Sequence, residues 1–128
     1  RCNPDHHTVN FVKGKRATLH HFAFQLRDFS HLENGCDVLS LNRIPIIWGP
    51  LRHGPGHNVS IYHRNPDGQV VEFYAELDQL LDEDLGFFDP RPWHEDQPQR
   101  PKVWTRANRS IAGWGPPPSQ DWHMNPDE

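Results

Sequence analysis

Between Leu19 and Leu26 the chain alternates. Phe22, Phe24 and Leu26 fall on one face of an extended segment, with His21, Ala23 and Gln25 on the other. The same period of two runs through residues 58–62, where Val59 and Ile61 oppose Tyr62, and through 69–74, where Val71 and Phe73 oppose Glu72 and Tyr74. Between these stretches the period lengthens: Leu32, Cys36 and Leu39 recur at helical spacing. Ser30 with Glu33 three residues on reads as a capping box, which predicts a helix from residue 30 to about 41. Gly35 weakens that helix by about 1 kcal/mol relative to alanine. Residues 6–12 and 43–48 read as further strands, 49–56 as a Gly/Pro loop, and 65–68 (Asn-Pro-Asp-Gly) as a turn.

The order from residue 19 is β-α-β-β-β, an α+β module expected to span residues 19–83. The strand at 6–12 has no helix before it, so residues 1–18 read as the end of a preceding unit. The chain begins at Arg1 and its sole methionine is Met124, which fits the expectation of a fragment. Residues 84–128 hold 8 of the 13 prolines, interleaved with Trp93, Trp104, Trp114 and Trp122. That density forbids a continuous helix or central strand. The aromatics argue against plain disorder, so the segment is expected to lie across the folded body with its tryptophans docked on it.

Composition narrows the function classes. Thirteen basic against 17 acidic residues leave a formal charge of −4, which excludes a general electrostatic nucleic-acid binder. No apolar run reaches the roughly 18 residues of a membrane span, and no signal-peptide pattern opens the chain. Cys2 and Cys36 are too few for a disulfide scaffold, which points to a reducing, cytoplasmic setting; Cys36 belongs to the helix's buried stripe. Ten histidines are the notable excess, since histidine is the commonest metal ligand and titrates near neutral pH.

Strand parity gathers some of those histidines. The side of the sheet away from the helix collects His21, Tyr62 and Glu72, with His7 nearby. A histidine and a carboxylate on neighbouring strands are two thirds of a 2-His-1-carboxylate triad, the usual site of non-haem Fe(II) oxygenases.

Three segments then resemble the type I extradiol ring-cleavage dioxygenases of the vicinal oxygen chelate superfamily. They are Cys2-Asn3-Pro4-Asp5-His6-His7-Thr8, Leu19-His20-His21-Phe22-Ala23-Phe24, and a third that opens at Arg52-His53-Gly54 and runs from Ile61 to Glu72. The third is specific: a histidine, a tyrosine nine residues later, the Asn-Pro-x-Gly turn, and a glutamate ten after the tyrosine. The resemblance covers about residues 2–76. Leu51 departs from it, since the family usually has a small residue there.

The resemblance implies an oxidoreductase that inserts both atoms of O2 into a catecholic substrate next to the diol. The implied cofactor is Fe(2+), with Mn(2+) possible. His21 and Glu72 would be metal ligands, His7 a proton carrier, and His53 and Tyr62 the groups that flank the substrate oxygens. The family's first metal histidine lies in an earlier unit. The third ligand is therefore expected from upstream sequence, with a second chain or an unassigned histidine such as His57 or His63 as alternatives. Otherwise His57, His63, His31, His94 and His123 read as surface residues.

Trp48 occupies the place of an arginine that pairs with the substrate carboxylate in the homoprotocatechuate branch, which favours an aromatic or less charged substituent. The stretch Trp104-Thr105-Arg106-Ala107-Asn108-Arg109, followed by Trp114-Gly115, is similar in style to that branch's C-terminal cover. The tail is therefore a candidate lid, with Arg106 or Arg109 meeting an acidic substituent. Two other readings stay open: a non-catalytic small-molecule-binding member of the superfamily, and another metal-dependent member such as an isomerase. A homo-oligomer is expected, because half-units of this kind hide open sheet faces against one another.

Overall fold

The computed structural model describes residues 3–13, 15–82, 87–88 and 112–122. Its frame is β1 (His21–Gln25), α1 (Phe29–Leu41), β2 (Ile46–Arg52), β3 (Val59–Arg64) and β4 (Val70–Ala75). The four strands form one sheet in the order β1-β4-β3-β2. β1 runs parallel to β4, with Ala23 beside Glu72, and the other pairs are antiparallel, with Tyr62 beside Glu72. A second, two-stranded pair joins β5 (Leu80–Asp82) and β6 (Phe87–Phe88). From His21 to Ala75 this is the β-α-β-β-β order expected of an α+β module.

The helix covers one face of the sheet. Leu32 and Leu39 pack on Val59 and Ile61, all four nearly inaccessible to water, with Cys36, Ile46 and Phe73 around them. Each such aliphatic side chain contributes about 1.5–3 kcal/mol by leaving water. The cap of α1 is Asp28 rather than Ser30. Asp28 is extended and its carboxylate accepts from the His31 amide at 2.8 Å, so the helix has already begun at Phe29.

β2 also corrects the reading of 49–56 as a loop from its first residue, because pairing with β3 continues through Leu51 and Arg52. Gly49 makes this possible. At φ +101 it lies so close to β3 that a Cβ would sit 2.5 Å from the Ser60 carbonyl oxygen. The strand bulges there and resumes.

Residues 6–12 form no strand. Asp5 makes an isolated bridge to Gln79, and beyond it Val9 and Phe11 are exposed. No neighbouring backbone among the described residues offers a ladder to them.

The second face carries a smaller apolar cluster of Ile47, Trp48, Leu51 and Tyr62, covered by Ala112 and Trp122. Segment 112–122 runs along β2 as a strap. Gly113 donates to the Arg52 carbonyl, Arg52 to the Trp114 carbonyl, Ser119 to the Ile47 carbonyl, and the Trp48 indole to the Pro116 carbonyl. Leu51, the departure from the family pattern, is fully buried beneath this strap. Trp93 and Trp104 lie outside the described residues.

Gly115 is the strap's tightest point. Its φ is +114, and a Cβ there would lie 2.6 Å from the Pro50 carbonyl oxygen and 2.7 Å from Leu51 Cα. Gly115→Ala is expected to cost about 1–3 kcal/mol through overpacking and to speed proteolytic clipping within 112–122. A melting curve and clipping rate equal to wild type would show that the strap is not seated on β2.

Candidate metal centre

Parity along β3 and β4 builds the site on the face away from the helix. Glu72 is 5% exposed. One carboxylate oxygen, Oε1, accepts from Ser60 Oγ at 2.6 Å and Asn58 Nδ2 at 3.0 Å. The other, Oε2, lies 3.1 Å from His21 Nε2 on β1. Burial alone would push this carboxyl's pKa up, but hydrogen bonds from His21 and Ser60 and the nearby His53 outweigh it and hold the group below its ordinary value. The carboxylate is thus ionised, fixed through one oxygen, and turned toward an imidazole with the other.

Tyr62 and His53 stand beside this pair. His53 Nε2 is 2.7 Å from the Tyr62 hydroxyl and 3.9 Å from Glu72 Oε1. Burial, then the charge of Glu72, raises the Tyr62 phenol well above its usual pKa, so it keeps its proton. His53 is delivered by the loop that follows the β2 bulge, and its amide donates to the Asn58 carbonyl across that loop. Trp48, opposite Tyr62 in the register, stacks on it at 5.3 Å with the rings 20° apart. Trp122 closes on both, 4.7 Å from each ring. A cavity of about 240 Å3 opens next to His21, between Trp122, Val70 and Gln69.

His7 reaches the same neighbourhood from the N-terminal segment. Its ring lies where a Cβ on Gly56 would come within 3.2 Å. Burial lowers its pKa, partly offset by the charges of Glu72 and Asp5.

The structure therefore brings His21, Glu72, His53, Tyr62 and Trp48 together, with His7 at the edge. Arg106 and Arg109 lie outside the described residues, as do His94, His123 and Cys2. Two suggestions for a third ligand fail. His63 faces the helix side, where its ring meets Phe73 at 4.7 Å. His57 is held by Asp78, with 2.6 Å between Nδ1 and Oδ2. Both are also buried rather than surface residues. Among the described residues no group of three or more His, Cys, Asp or Glu side chains is arranged to hold a metal.

Ser60 and Asn58 were not singled out from the sequence. Their signal was present: residues 58, 60 and 62 share a strand face, so any reading that turns Tyr62 toward Glu72 turns Asn58 and Ser60 there too.

No family model matches the chain. It is 30% identical over 103 residues to a manganese-dependent 2,3-dihydroxybiphenyl 1,2-dioxygenase of Geobacillus genomosp. 3, covering 79% of this chain and 32% of that protein. Among solved structures it resembles the Mn(II)-bound glyoxalase of Novosphingobium aromaticivorans, with TM-score 0.68 and 27% identity over 94% of this chain and 36% of that one. It also resembles a mutant of homoprotocatechuate 2,3-dioxygenase from Brevibacterium fuscum, with TM-score 0.51 and 32% identity over 56% of this chain and 20% of that one. The chain spans a third or less of the length of the curated relatives it matches.

Proposed function

This chain is an extradiol dioxygenase-like protein of the vicinal oxygen chelate superfamily, and on that premise we propose that its helix-free sheet face forms part of a divalent-metal centre for ring cleavage of catechols by O2. The observation that carries the proposal is the buried Glu72. One of its oxygens is satisfied by Ser60 and Asn58, the other is turned to His21 Nε2, and the His53–Tyr62 pair stands alongside.

The residues fit such an ion. An ionised carboxylate and an imidazole suit Fe(II) and Mn(II), and the hydrogen bonds on Glu72 Oε1 orient the carboxylate as supporting groups commonly do. His21 and Glu72 would hold the ion, completed by a donor outside the described residues. When bound, the metal supplies Lewis acidity toward the diol oxygens and redox access to O2. Mn(II) stands beside Fe(II) as a candidate because the Geobacillus relative is manganese-dependent.

The chain's own groups do the rest. Tyr62, which keeps its proton, offers a hydrogen bond from its hydroxyl to a substrate oxygen on which charge develops. His53 Nε2, at hydrogen-bond distance from that hydroxyl, sets its direction and offers a second polar group. His7, held neutral by burial, can accept a catechol proton and return it later. Trp48 and Trp122 wall the face and keep water from it. The cavity beside His21 is small against a whole ligand pocket of about 300–1,000 Å3, so it suits one ring substituent.

The test is oxygen uptake. The protein is loaded anaerobically with Fe(II) or Mn(II) and mixed with unsubstituted, aryl-substituted and carboxylate-bearing catechols. Uptake matched one-to-one by a yellow ring-cleavage product is the expected result. Metal and catechol binding without uptake would overturn catalysis in favour of a binding module.

A further inference from the structure

We infer that His57 and Asp78 are positioning residues: a buried clamp that sets the loop carrying His53 and the segment carrying His7 against the metal face. The inference rests on the catalytic reading above. Both residues are buried, Asp78 completely. Each is more polar than its place in a fold core requires.

Three segments meet at Asp78. Its carboxylate Oδ2 accepts from His57 Nδ1 at 2.6 Å, and its amide donates to the Gly56 carbonyl at 2.9 Å, so the tip of the 53–58 loop is held twice. Its own carbonyl accepts from the His6 amide at 2.9 Å, next to His7. The contact spreads one residue further on each side, through the Asp5–Gln79 bridge and the Leu80 amide on the Pro4 carbonyl. Asp78 follows Glu72 by six residues at the exit of β4. One residue thereby ties the segments that carry His53 and His7 to the strand that bears the carboxylate.

His57 is shaped for this task. Its φ is +50, a left-handed conformation that favours glycine or asparagine. An imidazole there is explained by what its side chain reaches. Arg52 supports the same turn by donating to the His57 carbonyl at 2.7 Å. The gap between Gly56 and the His7 ring is narrow, so a loop that drifts outward releases His7 together with His53.

His57→Gly tests the clamp, because glycine accepts the backbone conformation and loses only the imidazole. On the full chain with Mn2+ and catechol, kcat is expected to fall about 10–100-fold, the effect of misplacing a catalytic group by about 1 Å, with KM and Mn2+ affinity near wild type. His57→Asn keeps an N–H donor and suits the same φ, so it should restore most of the rate. Wild-type kcat in His57→Gly, or no rescue by His57→Asn, would overturn the clamp.

Amide hydrogen exchange reads the same contact without turnover. Protection at His53 and Asp78 should fall in His57→Gly while that at Ile61 holds; unchanged protection would overturn the proposal. If His57→Gly fails to fold, wild-type exchange decides: slow exchange at both amides supports the clamp and loop-like fast exchange overturns it. If wild-type protein takes up no oxygen, the dioxygenase reading fails alone, and exchange still judges the clamp.

Discussion

Glu72→Gln is expected to remove tight divalent-metal binding while leaving the apo fold standing. Glutamine keeps the side chain's length, and its carbonyl oxygen can still accept from Ser60 and Asn58, which hold Glu72 Oε1 in the native protein. What disappears is the charge on Oε2, the atom facing His21 Nε2. Removing a supporting partner of a metal ligand already costs about 10–100-fold in affinity or activity, and removing the charged ligand itself should cost more, on the order of 10³-fold. The difference is readable in a melting experiment. At a metal concentration near 100 times the wild-type Kd, the native protein gains about 2.7 kcal/mol of stability from Mn2+. Glu72→Gln should gain almost none, with an apo melting temperature close to wild type. Ser60→Ala should fall between the two. Equal Mn2+-induced stabilisation in native protein and Glu72→Gln would refute the assignment of this face as the centre.

The shared face of Tyr62 and Glu72 was legible because strand parity is a strict rule. Once residues 58–62 and 69–74 read as strands, Tyr62 and Glu72 had to share a face opposite Ile61 and Phe73, and the pairing of Tyr62 with Glu72 gives that outcome. The helix was legible from Leu32, Cys36 and Leu39, but its start was not. The reading placed the cap at Ser30, and only the backbone shows that Asp28 is extended and bonded to His31.

The misses share a cause. Gly49 and Pro50 read locally as loop residues, yet Gly49 permits a close pass against Ser60 that keeps β2 in the sheet. His57 read as a surface residue because its side chain's partner Asp78 is 21 positions away. That a tail tryptophan docks was expected, but which rings Trp122 meets, Trp48 and Tyr62, depends on how a proline-rich segment crosses the sheet. Each of these features is a long-range contact, and no local period reports it.

Tyr62→Phe carries the second large effect and separates chemistry from architecture. The phenyl ring fills the same slot between Trp48 and Trp122, so the aromatic wall and the fold should survive. The His21–Glu72 contact should persist, because it runs directly from Nε2 to Oε2 and not through the phenol. The loss is one hydrogen-bond donor, and with it the 2.7 Å partner of His53 Nε2. A single donor aimed at developing charge is worth about 10²–10³ in kcat when water is excluded, so kcat should drop by that order with KM and Mn2+ affinity little changed. His53→Ala should cost about as much. The double variant should lose far less than the product of the two, since each residue acts through the other. A multiplicative double variant would show that the two groups act on different steps. Tyr62→Phe at wild-type kcat would remove the phenol from the chemistry altogether, leaving it a packing residue between two tryptophans.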